Sequence, residues 1–166
     1  MDDTELIAQI QGGNTECANK LIERYYASIL RYCSWHCPDS NRAEDLTQET
    51  FFRVFRDIRS YNSRGKFKSY LYTIAHRLCI DEYRKQSFYT LDEDVPAFDA
   101  GMKKIEDQEQ LAHFLNLLSQ PQREAVILRY GEQLSFKEIA QITDVPTRTV
   151  QSRVRLALAI MRKEKS

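Results

Sequence analysis

The sequence predicts an all-α protein: two small helical domains joined by a flexible acidic linker. Three observations lead there. Apolar residues recur at helical spacing along most of the 166-residue chain, and no alternating strand pattern competes. One acidic, aperiodic stretch interrupts that spacing. Near the carboxyl end, a capping box, a turn and an arginine-bearing helix follow one another.

In the first half, Asp3 or Thr4 is placed to cap a short helix bearing Leu6, Ile7 and Ile10, and Gly12-Gly13 supplies the left-handed stop that helix ends favour. Asn14 caps the next helix, which carries Ala18, Leu21, Ile22, Tyr25, Ile29 and Cys33 on one face until Pro38 ends it. A third helix starts near Ser40 and runs through Ala43, Leu46, Phe51, Val54, Phe55 and Ile58 to about Tyr61, where Asn62-Ser63-Arg64-Gly65 reads as a turn. A fourth spans about Lys66 to Gln86, with Phe67, Leu71, Ile74, Ala75 and Leu78 in one stripe, so the first ninety residues predict a four-helix bundle.

From about Ser87 to Met102 the periodicity vanishes, and acidic residues mix with Pro96 and Gly101 as in an exposed tether. The domains are therefore expected at 1–88 and 104–166, with 89–103 as linker. Beyond it, a helix is predicted from Lys103 to Leu118, then one opened by Pro121 and stopped near Gly131, then a pair around the turn at Thr143-Asp144-Val145.

Composition narrows the function. The longest apolar runs are too short to span a membrane, and the acidic amino terminus is unlike a secretory signal, so a cytoplasmic protein is expected. Five glycines cannot assemble a dinucleotide fingerprint or a P-loop. His76 and His113 have no partners that suggest a catalytic triad. Cys33 and Cys37, with His36 beside them, have a spacing that can contribute to a zinc site, but without a second ligand pair they read as small residues of a helix stripe. No catalytic residue, cofactor or metal is expected.

The formal net charge of zero conceals segregation. Residues 1–49 carry minus five, 50–90 plus six, 91–112 minus five and 147–166 plus five. Two separate basic blocks suit two surfaces for a polyanion, since phosphate neutralisation supplies most nonspecific nucleic-acid affinity.

The sharpest local signal is LSFKEIAQITDVPTRTVQSRVR, in which Ser135 and Glu138 form a capping box and Ile139, Ala140 and Ile142 point inward. It reads as a helix-turn-helix, whose second helix would present Arg148, Thr149, Gln151, Ser152, Arg153 and Arg155 to the major groove. The second signal is AEDLTQETFFRVFRDI followed by YNSRGKFKSYLYTIAHRLCIDEYRKQ, which interleaves tyrosines with cations, a composition suited to unstacked bases.

These segments, in this order and across an acidic tether, resemble regions 2 and 4 of bacterial sigma factors, in the small extracytoplasmic-function group, and the resemblance covers nearly the whole chain. It implies a promoter-specificity subunit that binds core RNA polymerase, through the clamp helices of the largest subunit and the beta flap, and that is not itself a catalyst. Asp45, Gln48 and Glu49 fall in the segment that docks on the clamp helices in this family. Tyr61, Asn62, Arg64, Lys66 and Lys68 on the loop, with Tyr70, His76 and Arg77 on the helix behind it, correspond to the part that captures a flipped-out minus-ten base and holds the single strand. The 148–155 set corresponds to the reader of minus-thirty-five duplex. The family is commonly held inactive by an anti-sigma partner, which would hold this chain at the inner membrane face.

The chain departs from the family pattern at Tyr70, where tryptophan is usual, and at Arg77, where asparagine is usual. Arg148 replaces a glycine, Gln151 a basic residue, and Leu156 and Leu158 stand where arginines often occur, so a minus-thirty-five sequence does not transfer. Two other readings account for part of the sequence: a stand-alone helix-turn-helix regulator with an N-terminal sensing domain, which leaves the Asp45 helix unexplained, and a helical protein-binding adaptor.

Overall fold

The computed structural model describes residues 1–62, 65–89 and 106–165, and every regular element among them is helical. The first unit comprises α1 (Asp3–Gln11), α2 (Glu16–His36), α3 (Ser40–Arg56), a 3-10 turn at Ile58–Ser60 and α4 (Phe67–Tyr89). The second comprises α5 (Glu106–Asn116), α6 (Gln120–Val126), a π-helical turn at Ile127–Gly131, α7 (Phe136–Thr143) and α8 (Thr147–Lys165).

Local chemistry explains the boundaries. Asp2, rather than Asp3 or Thr4, caps α1: its carboxylate accepts from the Glu5 amide at 2.8 Å, and the Glu5 side chain accepts from the Asp2 amide at 3.3 Å. Asp3 is unavailable because Arg24 donates to it at 2.7 Å and Tyr25 holds its other oxygen. Gly13 supplies the left-handed stop, with φ +103°. Thr15, rather than the expected Asn14, stands at the N-cap of α2, and Asn14 Oδ1, one residue earlier, accepts from the Glu16 amide at 3.2 Å. Helix α4 runs through Tyr89, past the expected end at Gln86, because the first helix-breaking residue of that stretch, Pro96, lies further on. The remainder of the expected linker, and residues 103–105 of the expected following helix, lie outside the described residues.

Helix stripes at 3.6-residue spacing build the first core. Leu21, Ile29, Tyr32 and Cys33 of α2 meet Ala43, Leu46 and Val54 of α3 and Phe67, Leu71 and Ala75 of α4. Thr47 and Thr50 are buried but satisfied, each hydroxyl donating to a carbonyl four residues back at 2.8 and 2.7 Å. Cys33 and Cys37 are buried thiols, and Cys33 Sγ lies 3.9 Å from Cys79 Sγ.

The same apolar cluster continues into the second unit through Leu115, Leu128, Leu134, Ile139, Val150, Val154 and Ala157. Ser119 and Gln122 form a capping box at the start of α6, where Pro121 occupies the first turn. Past Val126 the chain widens into the π turn, closed by the Glu132 amide donating to the Ile127 carbonyl at 3.0 Å.

The two units share one continuous apolar cluster, with α7 against α4, and beside it, at the seam between them, a group of buried polar side chains joins α6 and the residue after the π turn to α2 and α4. Glu124 and Glu132 of the second unit are 3% and 4% exposed. Glu124 Oε1 accepts from the Tyr32 hydroxyl and lies 3.1 Å from His76 Nδ1, while its Oε2 lies 2.7 Å from His36 Nε2, an ion-pair distance out of line for a hydrogen bond. Glu132 receives both arms of Arg31, at 3.1 and 2.8 Å, and the Tyr72 hydroxyl at 2.6 Å. Helix α7 also lies against α4.

Candidate nucleic-acid interface

Helix α3 carries the acidic face. Asp45, Gln48 and Phe52 are exposed and Glu49 is half-exposed, at positions three and four apart that form one stripe opposite the buried Leu46 and Val54. Arg42 clips α3 to α4 through Glu82, with Nε donating to Oε1 at 2.6 Å, and this bond holds the Glu82 carboxyl below its ordinary pKa. Arg53 donates to Glu49 at 3.0 Å. The groove between α3 and α4 is thus walled by Asp45, Gln48, Glu49 and Phe52 on one side and by Asp81, Glu82 and Lys85 on the other. Phe52 is 61% exposed and was not singled out from sequence. Its signal was available, since a large aromatic sits beside three polar candidates and off the buried stripe.

The loop after the 3-10 turn is anchored from α1. Gln11 Nε2 donates to the carbonyls of Ile58 and Tyr61 at 2.9 and 2.7 Å, fixing where the chain leaves the bundle. Tyr61 then stacks on Tyr70, with ring centroids 4.2 Å apart and planes 18° apart, over the edge of buried Phe67. Burial and the neighbouring Tyr70 push the Tyr61 hydroxyl up to about 12, so it stays a neutral donor. Asn62, Lys66 and Arg77 are exposed on the same side, whereas Lys68 is half-buried and lines a different pocket with Arg24, Arg31, Tyr72 and Glu132. Together they offer a half-buried aromatic platform with cations beside it, the composition that takes up unstacked bases. Arg64 lies outside the described residues. His76 stands apart from the group, turned toward Glu124 in the seam.

Helices α7 and α8 make the helix-turn-helix. Ser135 Oγ accepts from the Glu138 amide at 3.1 Å and Glu138 answers at the Ser135 amide at 3.0 Å, as the sequence predicts. Asp144 turns the chain at φ +57°, a left-handed position that aspartate tolerates. On α8 the buried Val150, Val154 and Ala157 face the core, which leaves Arg148, Gln151 and Arg155 exposed and Thr149, Ser152 and Arg153 half-buried on the flanks. All six are thus on one helix, clear of the core stripe. Of the apolar run at its end, Leu158 and Met161 pack on the core, whereas Leu156 and Ile160 remain exposed.

Comparison with known proteins follows the same division. The sigma-70 region 2 family model matches residues 21–89, and the sigma-70 region 4 model matches residues 108–161. The chain is 26% identical to the ECF RNA polymerase sigma factor SigW of Bacillus subtilis over 175 residues, covering 95% of this chain and 94% of that protein. It is 29% identical to the ECF RNA polymerase sigma-E factor of Escherichia coli over 171 residues, covering 93% and 89%. Among solved structures, CnrH in complex with the cytosolic domain of CnrY superposes with a TM-score of 0.76 at 18% identity, over 97% of this chain and 95% of that one. The sigma factor RpoE of Bartonella quintana, in complex with the anti-sigma factor NepR, gives 0.72 at 23% identity, over 87% and 94%. An acidic-faced bundle and a helix-turn-helix, each matched to its own region and in the same chain order, place this protein in the sigma-70 family, in its extracytoplasmic-function group.

Proposed function

We infer that the chain is a promoter-specificity subunit that binds core RNA polymerase and directs initiation to a particular set of promoters. The observation that carries this reading is the ordered pair of family regions on one chain, each with its functional face turned outward. The chain acts by binding rather than by catalysis. Among the described residues no helix is long and apolar enough to cross a membrane, which is consistent with work in the cytoplasm on the chromosome.

The division of labour follows the surfaces. Asp45, Gln48 and Glu49, with Phe52, dock on the clamp helices, where an acidic stripe with an exposed aromatic meets basic polymerase side chains. The Tyr61–Tyr70 platform and its cations, with Arg64, take the unpaired minus-ten strand. Arg148, Gln151 and Arg155, flanked by Thr149, Ser152 and Arg153, read the minus-thirty-five duplex, and the beta flap is the second polymerase contact. An anti-sigma factor is the fitting regulator, since RpoE and CnrH were each solved with a partner of their own.

Run-off transcription from fragmented bacterial genomic DNA, with core polymerase and with or without this protein, tests the reading. New transcript starts that share two spaced upstream motifs are expected. Asp45→Ala with Glu49→Ala reduces those transcripts and core binding together. Retained duplex binding with no new starts and no core binding would instead assign a stand-alone regulator.

A further inference from the structure

The cavity that Lys68 lines lies where the start of α4 faces the middle of α2, beside residues 131–133. It encloses about 440 Å³, within the range of small-molecule sites and well beyond the size of a lone ion. Two polar stripes line it. Arg24, Ser28 and Arg31 fall at positions i, i+4 and i+7 of α2, and Lys68 and Tyr72 at i and i+4 of α4, so each set occupies one helix face. Three cations therefore border the space against a single lining carboxylate, Glu132.

An account of the charges leaves one cation over. Arg31 gives Nε and Nη2 to Glu132, which also receives the Tyr72 hydroxyl, and Arg31 Nη1 takes no part in those bonds. Arg24 gives its terminal nitrogens to Asp3 and to the Met1 carbonyl. Lys68 remains: its side chain is half-buried, and among the described residues no carboxylate pairs with it. An ammonium that has lost part of its water inside a concavity is costly unless an anion enters to offset the loss. The backbone at the rim is strained as well. Gln133 lines the cavity at φ +56°, a left-handed position that favours glycine, and such positions cluster at ligand sites.

We propose that this cavity is a binding site for a small phosphorylated ligand of nucleotide size, with Lys68 and Arg31 Nη1 holding phosphate oxygens. A guanidinium and an ammonium facing one space form the donor set that phosphate takes up best. Tyr25, half-buried in the same lining, supplies an aromatic wall for a base. The recess favours a ligand that enters over the backbone of a duplex, which is convex and is met by protruding side chains. The site goes beyond the functional reading above and does not depend on it.

Isothermal titration of the full chain with ADP, GDP and inorganic pyrophosphate tests the site. Saturable one-to-one binding is expected, with a nucleotide bound more tightly than pyrophosphate because the base gains the Tyr25 wall. Lys68→Gln should weaken it about tenfold, the worth of one charge-assisted contact. Ser28→Asp, which sets a carboxylate between the two arginines, should weaken it further. Lys66→Gln removes an exposed cation two residues from Lys68 and should bind as the wild type does. Circular dichroism confirms that each variant keeps its helices. Absence of saturable binding by all three probes at millimolar concentration would overturn the site, as would an equal loss in Lys66→Gln or wild-type affinity in both Lys68→Gln and Ser28→Asp. Tighter binding of pyrophosphate than of either nucleotide would overturn the nucleotide size. Full displacement of the bound probe by a single-stranded oligodeoxynucleotide would assign the cavity to the promoter strand instead.

Discussion

Phe52 places an aromatic ring in water on a helix whose other large apolar residues are mostly buried, and its neighbours along the stripe are Asp45, Gln48 and Glu49. Aromatic side chains are enriched among residues that dominate binding energy, whereas exposed acidic groups chiefly set approach and partner choice. Phe52→Ala is therefore expected to weaken core polymerase binding by about 2 kcal/mol, roughly thirtyfold. Its effect on folding stability should stay within about 0.5 kcal/mol, as for other exposed positions. Urea unfolding alongside the polymerase titration separates the two, and a stability loss that matches the affinity loss would show Phe52 to be structural. Why sequence reasoning passed over Phe52 while choosing its neighbours is a matter of period. A 3.6-residue stripe identifies what faces the core, and an aromatic off that stripe adds nothing to the pattern, although it adds most to a surface.

At the scale of elements, the start of α7 was legible from its Ser135–Glu138 capping box, whereas the start of α1, also a capping box, was read one residue late because Asp2 and Asp3 compete for the cap. In the second case the competition was decided by Arg24 and Tyr25 of the next helix, which local spacing does not contain. Ser135→Ala should destabilise the second unit by about 1 kcal/mol, measurable by thermal or chemical unfolding. On α8, the exposed Arg155 and the half-buried Arg153 are expected to behave differently from Gln151. Loss of Arg155 should reduce the steepness of the salt dependence of duplex binding by about one unit at every sequence. Change at Gln151 should shift preference at one base pair. A panel of single-base variants of the promoter revealed by transcription, measured at several salt concentrations, distinguishes a phosphate contact from a base contact.

At the scale of the whole molecule, the seam escaped prediction because nothing local marks it. Glu124 and Glu132 look like ordinary solvated charges on short helices, and the groups that bury them are supplied by α2 and α4 of the other unit. Tyr32 and Tyr72 look like members of core stripes, and their hydroxyls acquire a purpose only once the second unit is present. The seam also carries a pH dependence. Burial works against the charge on His36, but the Glu124 carboxylate outweighs it and raises the His36 pKa; Arg123 opposes it weakly, and Cys33, Tyr32 and His76 complete its surroundings. Burial likewise works against the charge on Glu124, and the two histidines outweigh it, holding its carboxyl far below the ordinary range. The His36 contribution to closure is thus complete below about pH 6.5, its ordinary value, and is lost as pH rises through the raised one. The Glu124 contribution is complete above about pH 4.3 and is lost only as pH falls through its lowered value. The radius of gyration of the free chain should therefore grow as the pH rises above about 6.5, and His36→Gln should flatten that response. A radius that is flat over this range in the wild type would remove His36 from the seam's energetics.

The π turn at Ile127–Gly131 acquires a meaning from this arrangement. Eight residues separate Glu124 from Glu132, and in an uninterrupted α-helix eight steps of about 100° leave two side chains some 80° out of phase. One carboxylate would then point into the seam while the other pointed along the surface. A π turn takes up an additional residue per turn, so the rotation between the two positions falls back toward whole turns. The single surplus residue acts as a phase correction that brings both carboxylates onto one side of the element. Removing one residue from the 127–131 stretch would let the helix run on regularly, and the two acids, now seven steps and about 700° apart, would stay within about 20° of one another.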